Sequence, residues 1–480
     1  MTEPLPPARP GGARARRWTS GRLPRVRQPT PLITWRIPSG RGATEQPNAT
    51  GDLVPLTPRF WSSVVLVGVS TGLLGALLMF VLFSVSHLVF GHADTGFEFA
   101  VVHSAAGRRV AALVVAGAVG GAAWFLLRRV TAGERADVDD AVWRGTGELS
   151  FRRSLGSSLI SEVVVGMGAS LGRENGPKVM GGAAASALSG WMRLAPAQRR
   201  LLVACGAGAG LACVYNVPLG GALFTAELLV GSVSLPIVLP ALLCSGIATA
   251  TAWVYLPRAA TYLDLRDYRF TVSLMVWALV VGPLVGLASV GWVRLVAFVS
   301  HHRASGRAAL AAPLAAFTVV GVIGIPYPQV FGNGKDLAHD AFLGVGGLGL
   351  FAVLSVLKPF ATALSLGSGA TGGLFTPTLS TGAVLGGVLG LLWSMAWGGS
   401  SAGAFAMVGA AAMIGASLQA PLTGLVLVVE LTHTGLSILI PMIAATAGAT
   451  LVARYVDGYS IYSARLPAEQ PAPAPPSAPD

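Results

Sequence analysis

The chain contains one apolar segment twice. Val217-Pro-Leu-Gly-Gly-Ala-Leu-Phe-Thr-Ala-Glu-Leu228 returns about two hundred residues later as Ala420-Pro-Leu-Thr-Gly-Leu-Val-Leu-Val-Val-Glu-Leu431, with Pro, Leu, Gly, Glu and Leu in register. The same offset places residues 168–175 opposite residues 371–378, so glycines interrupt both halves at the same place. Paired Gly/Pro interruptions in two related membrane halves are typical of a binding site near the bilayer midplane, built from broken helices. The sequence therefore predicts a duplicated membrane protein with its site at these breaks.

Composition supports a chain embedded in a membrane. Hydrophobic residues make up 53% of the 480 residues and charged residues only 11%, a balance that soluble domains do not show. Tracts such as Val64–Phe83 and Val272–Val293 are long enough to cross a bilayer, which takes about 20 apolar residues. Other tracts are shorter and contain glycines, which indicates helices that stop partway inside the protein. We expect an all-α polytopic fold with two inverted-topology halves and many short, broken and tilted helices.

The two ends of the chain differ in composition from the rest. Residues 1–58 are rich in Pro, Gly and Arg and hold much of the formal net charge of +12, which predicts a disordered cytoplasmic arm. Nucleic-acid binding by these arginines is the alternative, but we expect no nucleic-acid partner. We assign residues 59–466 to a transmembrane domain with halves of about 59–260 and 261–466. Residues 467–480 predict a disordered cytoplasmic tail, and no signal-peptide pattern is expected at the start.

Residues that usually carry enzyme chemistry are not arranged for it. Cys205, Cys213 and Cys244 lie in apolar surroundings without metal-type spacing, which indicates core thiols. The 7 histidines fall near segment ends or loops, and no HExxH or nucleophile-elbow pattern accompanies them. We therefore expect a multi-pass cell-membrane protein that is not an enzyme and that needs no metal and no organic cofactor.

Glu174 lies in a glycine-framed break, Gly172-Arg-Glu-Asn-Gly-Pro177, directly before a helix-forming run. A helix N-terminus offers unpaired N–H groups and the positive end of the dipole, the field that also holds a free anion. Glu174 can therefore occupy an anion site itself and give way to an anion when it is displaced or protonated. The alternative is a structural carboxylate that caps the helix or pairs with Arg173. Because ionisable groups inside a membrane are functional by default, we predict that Glu174 is a gate.

Five motifs resemble those of one known family. They are Gly168–Glu174, Asn216–Gly221, Gly367–Pro377, Ala420–Gly424 and Ile461–Ser463. Together the motifs resemble the CLC family of chloride channels and chloride/proton antiporters, in that family's order, from roughly Phe60 to Leu466. The resemblance implies a homodimer in the lipid bilayer, with a separate pore for chloride or similar anions in each subunit.

The resemblance also implies roles for single residues. Glu174 matches the external gating glutamate, with Arg173 and Asn175 beside the anion. The backbone amides of Leu374 and Phe375 match those that point at the anion, and the Tyr462 hydroxyl matches a donor to it. Independently, a Gly-rich turn before a helix presents N–H donors without a cationic side chain that binds too tightly. The alternatives are a packing turn at residues 373–377 and an interfacial aromatic at Tyr462.

Three departures from the family pattern affect the mechanism. The family usually has a serine hydroxyl at the central ion, and if Asp137-Val-Asp139 keeps the register, that position is Gly133, which offers backbone only. Asn175-Gly176-Pro177 stands where Gly-Pro usually follows the glutamate. The family's internal proton glutamate is replaced by Leu228, which cannot carry a proton.

Glu227, next to Leu228, repeats as Glu430 in the other half. This symmetry favours a structural role such as helix capping, and a water-mediated proton path from Glu227 to Glu174 is the alternative. The sequence leans towards a passive chloride channel gated by Glu174. A chloride/proton antiporter is the second hypothesis, and a membrane enzyme or sensor that uses Glu174 is the third.

Overall fold

The structure is a computed structural model that describes residues 56–91, 96–433 and 435–466. Most of the predicted N-terminal arm and the whole predicted tail lie outside these residues. In the described part of the chain, the secondary structure is helical apart from one isolated bridge between Gly172 and Gly373. The predicted all-α class is confirmed.

The helices fall into two consecutive sets. The first set is α1 (Pro58–Phe90), α2 (Phe97–Val102), α3 (Ala106–Val130), α4 (Val138–Trp143), α5 (Phe151–Gly166), α6 (Asn175–Trp191), α7 (Pro196–Tyr215), α8 (Pro218–Leu223) with a π-helical continuation (Phe224–Val230), and α9 (Leu235–Ala252). The second set is α10 (Val272–His301), α11 (Ala308–Ile323), α12 (Lys335–Leu343), α13 (Leu348–Gly367), α14 (Phe375–Ser394), α15 (Ala402–Leu418), α16 (Pro421–Thr432) and α17 (Leu439–Val456).

The two sets repeat one packing arrangement. Helix α1 packs on α9 as α10 packs on α17, and α6 packs on α7 as α14 packs on α15. The halves meet through equivalent helices, because α3 packs on α11 and α8 on α16. The duplication into two inverted-topology halves is therefore confirmed. In the described residues, 7 helical segments are long and apolar enough to cross a bilayer, and the others are shorter, as the glycine interruptions predict.

The repeated segment starts in the same way in both halves. Asn216 (φ 57°) and Gln419 (φ 56°) end α7 and α15 in the left-handed conformation, which turns the chain out of a helix. Pro218 and Pro421 then open α8 and α16, where a missing N–H costs nothing. Each half thus reverses the chain at the equivalent point.

The constant offset of the repeat does not extend to the glycine-rich loops. Glu174 is the residue before α6 and Leu374 the residue before α14, so Glu174 is equivalent to Leu374 rather than to Pro377. The stretch from the start of α14 to the end of α15, residues 375–418, has 44 residues, whereas the stretch from the start of α6 to the end of α7, residues 175–215, has 41. The three extra residues end the constant offset.

Small residues allow the central helices to pack closely. A Cβ on Gly181 of α6 would lie 2.0 Å from the carbonyl oxygen of Gly206 of α7, so only glycine fits there. Cys205, Cys213 and Cys244 are buried and free, which confirms them as core thiols.

Candidate anion site

The two glycine-rich loops lie against each other. Gly172 and Gly373 each donate their N–H to the other's carbonyl oxygen at 2.7 Å. Because these loops lead into α6 and α14, the amino ends of both helices meet at this point. The breaks in the two halves therefore form one place in the molecule, where unpaired N–H groups and two helix dipoles converge.

The Glu174 carboxylate reaches across to the helix of the other half. Its Oε1 accepts a hydrogen bond from the Phe375 N–H at 2.7 Å, and its Oε2 accepts one from the Tyr215 hydroxyl at 2.9 Å. The Thr376 hydroxyl donates to Oε2 at 3.4 Å and also contacts the Tyr215 hydroxyl. Glu174 is 2% exposed and does not cap its own helix. A negative group therefore occupies the donors at the start of α14.

Gly172 and Gly373 are required because the carboxylate approaches them closely. A Cβ on Gly373 would lie 1.9 Å from Glu174 Oε1, and a Cβ on Gly172 would lie 2.3 Å from it. Real Cβ contacts are never this short, so any side chain at either position would displace the carboxylate. The glycine framing of the break makes room for Glu174.

A cavity of about 330 Å³ is lined by Arg173, the residue before Glu174, by Tyr215, whose hydroxyl binds Glu174, and by Lys335, among others. The Arg173 guanidinium lies 5.0 Å from the centre of the Tyr215 ring and 5.6 Å from that of Phe83. Among the described residues, its Nε has no hydrogen-bond partner. Arg173 and Lys335 line the cavity together with the acidic Asp336, so positive charge outweighs negative charge on its lining, which favours anions.

Tyr462, a predicted anion contact, is packed from both sides. Its ring packs edge-on against Phe224, with ring centres 6.0 Å apart, and Lys178 Nζ lies 4.1 Å from its ring centre. Lys178 is paired with Asp139 of α4 at 3.0 Å. Lys178, Asp139 and Tyr462 are all buried. The contacts fix the ring and leave its hydroxyl as the polar end.

The remaining predicted anion contacts differ in their positions. Asn175 is the first residue of α6 and is partly exposed. Gly133 is exposed in the turn between α3 and α4, and no atom lies within 4 Å of where its Cβ would be. This position gives no support to an anion contact at Gly133, which stays a prediction. The acidic residue used to set the register, Asp137, instead caps α4 by accepting from the N–H groups of Asp139 and Asp140.

Glu227 and Glu430 each bind the start of the repeated helix in the other half. Glu227 accepts from the N–H groups of Leu422 (3.2 Å) and Thr423 (2.7 Å) and from the Thr423 hydroxyl. Glu430 accepts from the N–H groups of Leu219 (3.0 Å) and Gly220 (2.6 Å). The four backbone N–H donors are orphan groups at helix N-termini. The contacts favour a structural role for Glu227.

Sequence reasoning missed several polar residues of the site. Tyr215 lies directly before the Asn216–Gly221 motif and Thr376 lies inside Gly367–Pro377, but neither was predicted to bind Glu174. Glu162 is fully buried beside Gly176, and Lys178 forms a buried ion pair with Asp139. A signal was present for Glu162, which is a lone charged residue inside a run of apolar and small residues; such residues inside a membrane mark functional sites.

Two half-helix ends that meet around a carboxylate, beside a cationic cavity, define a membrane protein that handles small anions. The family model described as "Voltage gated chloride channel" matches residues 116–454. The chain is 31% identical over 332 residues to the voltage-gated ClC-type chloride channel ClcB of Citrobacter koseri, a match that covers 66% of this chain and 76% of that protein. The chain therefore belongs to the CLC family, and its resemblance to that family is confirmed.

Other relatives carry names of exchangers. The chain is 32% identical over 313 residues to the H(+)/Cl(-) exchange transporter ClcA of Yersinia pestis, a match that covers 63% of this chain and 65% of that protein. A solved slow cyanobacterial Cl-/H+ antiporter has the same fold, with a TM-score of 0.74 at 21% identity over 85% of this chain and 97% of the other. A CLC-type fluoride/proton antiporter superposes with a TM-score of 0.68 at 19% identity over the same shares. As a CLC protein, the chain is a multi-pass membrane protein for anion transport.

Proposed function

We propose that this protein exchanges chloride or a similar small anion for protons across the cell membrane, through a separate path in each subunit of a homodimer. One observation carries the proposal. The Glu174 carboxylate accepts the Phe375 N–H and the hydroxyls of Tyr215 and Thr376, which are the donors that a dehydrated anion needs.

This arrangement makes anion movement depend on Glu174. The three donors offer no cationic side chain, so they suit either an ionised carboxylate or a free anion, and the two compete for one place. An anion can enter when the carboxylate leaves, and a protonated carboxyl group no longer has the charge that these donors favour. Each passage of an anion is thereby linked to the protonation of Glu174.

Exchange is favoured over the passive channel towards which the sequence leaned. The argument for a channel rested on Leu228, which replaces a proton-carrying residue. Against it, a relative at 32% identity is named as an exchange transporter. The donors at the start of α14 are also occupied by the buried Glu174 carboxylate, which suits alternating occupancy better than a continuous pore.

The helix directions support an outward-facing cavity and cytoplasmic termini. Helix α1 has 33 residues, about 50 Å, so it exceeds the roughly 30 Å hydrocarbon layer. It begins next to the basic arm and ends at Phe90, directly before Gly91, which lines the cavity. Helix α3 returns to the opposite side and ends with Arg128 and Arg129, and α17 ends with Arg454 on its last turn. The positions of Arg128, Arg129 and Arg454 on the side away from the cavity fit the positive-inside rule.

The test is proton movement in liposomes. Purified protein is reconstituted with a chloride gradient and no pH gradient, and a pH dye reports internal protons while an electrode reports chloride. We expect chloride leaving the liposomes to drive protons in against their own gradient. Glu174→Gln is expected to keep anion flux and to abolish proton uptake, because the amide cannot carry the proton.

Two results would contradict exchange. Chloride flux without any uphill proton movement in the wild type would return the protein to the channel hypothesis. Proton uptake that persists in a folded Glu174→Gln variant would remove Glu174 from the coupling step.

A further inference from the structure

Glu162 is a second buried carboxyl group close to the gate. It lies on α5, is 0% exposed, and neither of its oxygens has a hydrogen-bond partner among the described residues. Its side chain lies against the backbone of Gly176, where a Cβ would be 2.3 Å from Glu162 Oε1. Gly176 is two residues after Glu174, so Glu162 packs against the first turn of the helix that follows the gate.

The charges that act on Glu162 come from the gate segment. They are those of Arg173 and Glu174. Other charged groups on the neighbouring helices have partners elsewhere: Lys178 of α6 is paired with Asp139, and Arg128 of α3 donates to the Gly369 carbonyl. The backbone N–H of Gly176 is near the carboxyl group but does not form a hydrogen bond of regular geometry with either oxygen. Burying an ionised carboxylate without a well-placed donor is costly, whereas burying a carboxylic acid costs much less. Glu162 is therefore placed to hold a proton facing Glu174.

A row of hydroxyls continues from Glu162 along one face of α5. Ser158 and Ser154 lie four and eight residues before it, a spacing that puts all three on the same face of a helix. Ser158 donates to the Gly176 carbonyl at 3.1 Å, and Ser154 is buried with no hydrogen-bond partner among the described residues. Residues four apart rise by about 6 Å, a gap that one water molecule spans.

The row ends at the side of the molecule opposite the cavity. Ser150 caps the amino end of α5, and its hydroxyl donates to the Glu134 carboxylate. Glu134 and Ser150 are partly exposed. The carboxyl end of α5 faces the other way, because Val165 lines the cavity. The polar face of α5 thus leads from one surface of the protein to the gate.

We propose that Glu162 passes protons between the cytoplasmic surface and Glu174, by way of Ser158 and Ser154, and so replaces the titratable group that Leu228 lacks. The O–H bond of the Glu162 carboxylic acid breaks as a bridging water takes up that proton, and the same water gives one of its own protons to the Glu174 carboxylate. Glu162 then regains a proton from the cytoplasmic side through the two hydroxyls and intervening water, each of which accepts one proton and donates another. No net charge stays on α5 after a full cycle.

Glu227 does not serve this route. Its carboxylate is occupied by the N–H groups at the start of α16, whereas Glu162 has free oxygens. This inference rests on the proposed exchange of anions for protons, and the experiment separates the two. If the wild type shows no uphill proton movement, the exchange itself is contradicted. If the wild type does move protons uphill, the Glu162 variants test the role of Glu162 separately.

The test uses Glu162→Gln in the full chain, reconstituted in liposomes with a chloride gradient. We expect chloride efflux to continue, which also reports a folded protein, while proton uptake per chloride falls at least about tenfold. Glu162→Asp is expected to retain part of the uptake, since it keeps a titratable group. A packing role predicts the reverse order, because Gln matches the shape of Glu better than Asp does. Unchanged proton uptake in Glu162→Gln overturns the proposal.

Two further variants complete the design. If Glu162→Gln does not fold, Ser154→Ala serves instead, because it interrupts the row and removes a hydroxyl that has no partner among the described residues. We expect slower proton uptake at unchanged chloride efflux. An unchanged ratio of proton uptake to chloride efflux overturns the proposal. Glu148→Gln, at an exposed carboxylate paired with Arg199, is the matched control and is expected to behave as wild type. Loss of uptake in Glu227→Gln but not in Glu162→Gln also overturns the proposal.

Discussion

Glu227 and Glu430 cap each other's helices: Glu227 binds the first N–H groups of α16, which carries Glu430, and Glu430 binds those of α8, which leads to Glu227. The repeated Glu in the sequence is thus repeated in the structure as a reciprocal contact across the two halves. Since both carboxylates face helix N-termini, each adds a favourable dipole interaction to its hydrogen bonds.

Loss of either cap is expected to weaken the junction between the halves. Glu227→Gln and Glu430→Gln should each lower the free energy of unfolding by about 1 to 2 kcal/mol. The double variant should lose less than the sum, because the two contacts share one interface. Thermal unfolding in detergent measures both effects. A loss of proton coupling in Glu227→Gln at unchanged stability would instead favour the proton path through Glu227.

Tyr215 is expected to control how long Glu174 stays at the start of α14. Tyr215→Phe keeps the ring beside Phe375 (centres 5.7 Å apart) but removes the O–H that donates to Glu174. A hydrogen bond to a charged group is worth about 1.5 to 3 kcal/mol, so the carboxylate should leave more often and chloride flux should rise. Chloride efflux from liposomes is the measurement.

Tyr462→Phe is the matched control for that experiment. The Tyr462 ring contacts Phe224 and Lys178 rather than Glu174, so this variant should not raise the flux. If the Tyr462 hydroxyl binds the anion, chloride affinity measured by calorimetry should fall instead. Equal increases in chloride flux for both variants would contradict the expectation that the Tyr215 hydroxyl specifically keeps Glu174 at the start of α14.

Parts of the site could be predicted from the sequence because local patterns encode them. Glycines mark where Glu174 approaches the backbone, and the same kind of break before Phe375 indicates the facing amides. Tyr215, by contrast, reaches Glu174 across 41 positions of sequence, and no local pattern reports such a contact. The assignment of Gly133 to the family's serine position depended on the acidic motif that begins at Asp137. In the structure Asp137 caps α4. From the sequence alone, a helix cap and a family motif at this position look the same.

The fold was easier to predict than the site for a physical reason. Hydrophobic length and glycine breaks determine where helices cross or stop in a bilayer, and the repeat at Val217 and Ala420 fixes the number of halves. Side-chain pairs such as Lys178 with Asp139 depend on how helices pack, which the sequence pattern does not encode.

Gly373→Ala is expected to expel the Glu174 carboxylate. The new Cβ would lie 1.9 Å from Oε1, so the carboxylate must leave its donors. Chloride flux should then no longer depend on Glu174, and Gly373→Ala combined with Glu174→Gln should transport chloride as Gly373→Ala alone does. Gly246→Ala in α9, where nothing lies within 4 Å of the new atom, is the control. A strong further effect of Glu174→Gln in the Gly373→Ala background would show that the carboxylate had stayed in place.

Glu98 on the short helix α2 is expected to make stability depend on pH. Burial, and then repulsion from Asp340 and Asp336, raises the pKa of the Glu98 carboxyl from 4.5 to about 8. The folded state holds this proton more tightly than the unfolded state, so its stabilising effect is complete below pH 4.5 and is lost as the pH rises to about 8.

The measurement for Glu98 is thermal unfolding in detergent across that pH range. Glu98→Gln should match the wild type in acid and should be the more stable of the two at alkaline pH. Glu148→Gln, at an exposed ion pair, should leave the pH dependence of the wild type unchanged. Parallel curves for wild type and Glu98→Gln would mean that Glu98 is ionised in the folded state at all these pH values.

Removing one partner of the ion pair between Lys178 and Asp139 is expected to lower the free energy of unfolding more than removing both partners does. Both side chains are buried, with Nζ 3.0 Å from Oδ2. Lys178→Met leaves Asp139 as an uncompensated buried charge, which costs about 3 to 5 kcal/mol. Adding Asp139→Asn removes that charge and should restore much of the loss. Unfolding of the two variants in detergent decides the matter, and a double variant less stable than Lys178→Met alone would mean that Asp139 stabilises the fold without Lys178.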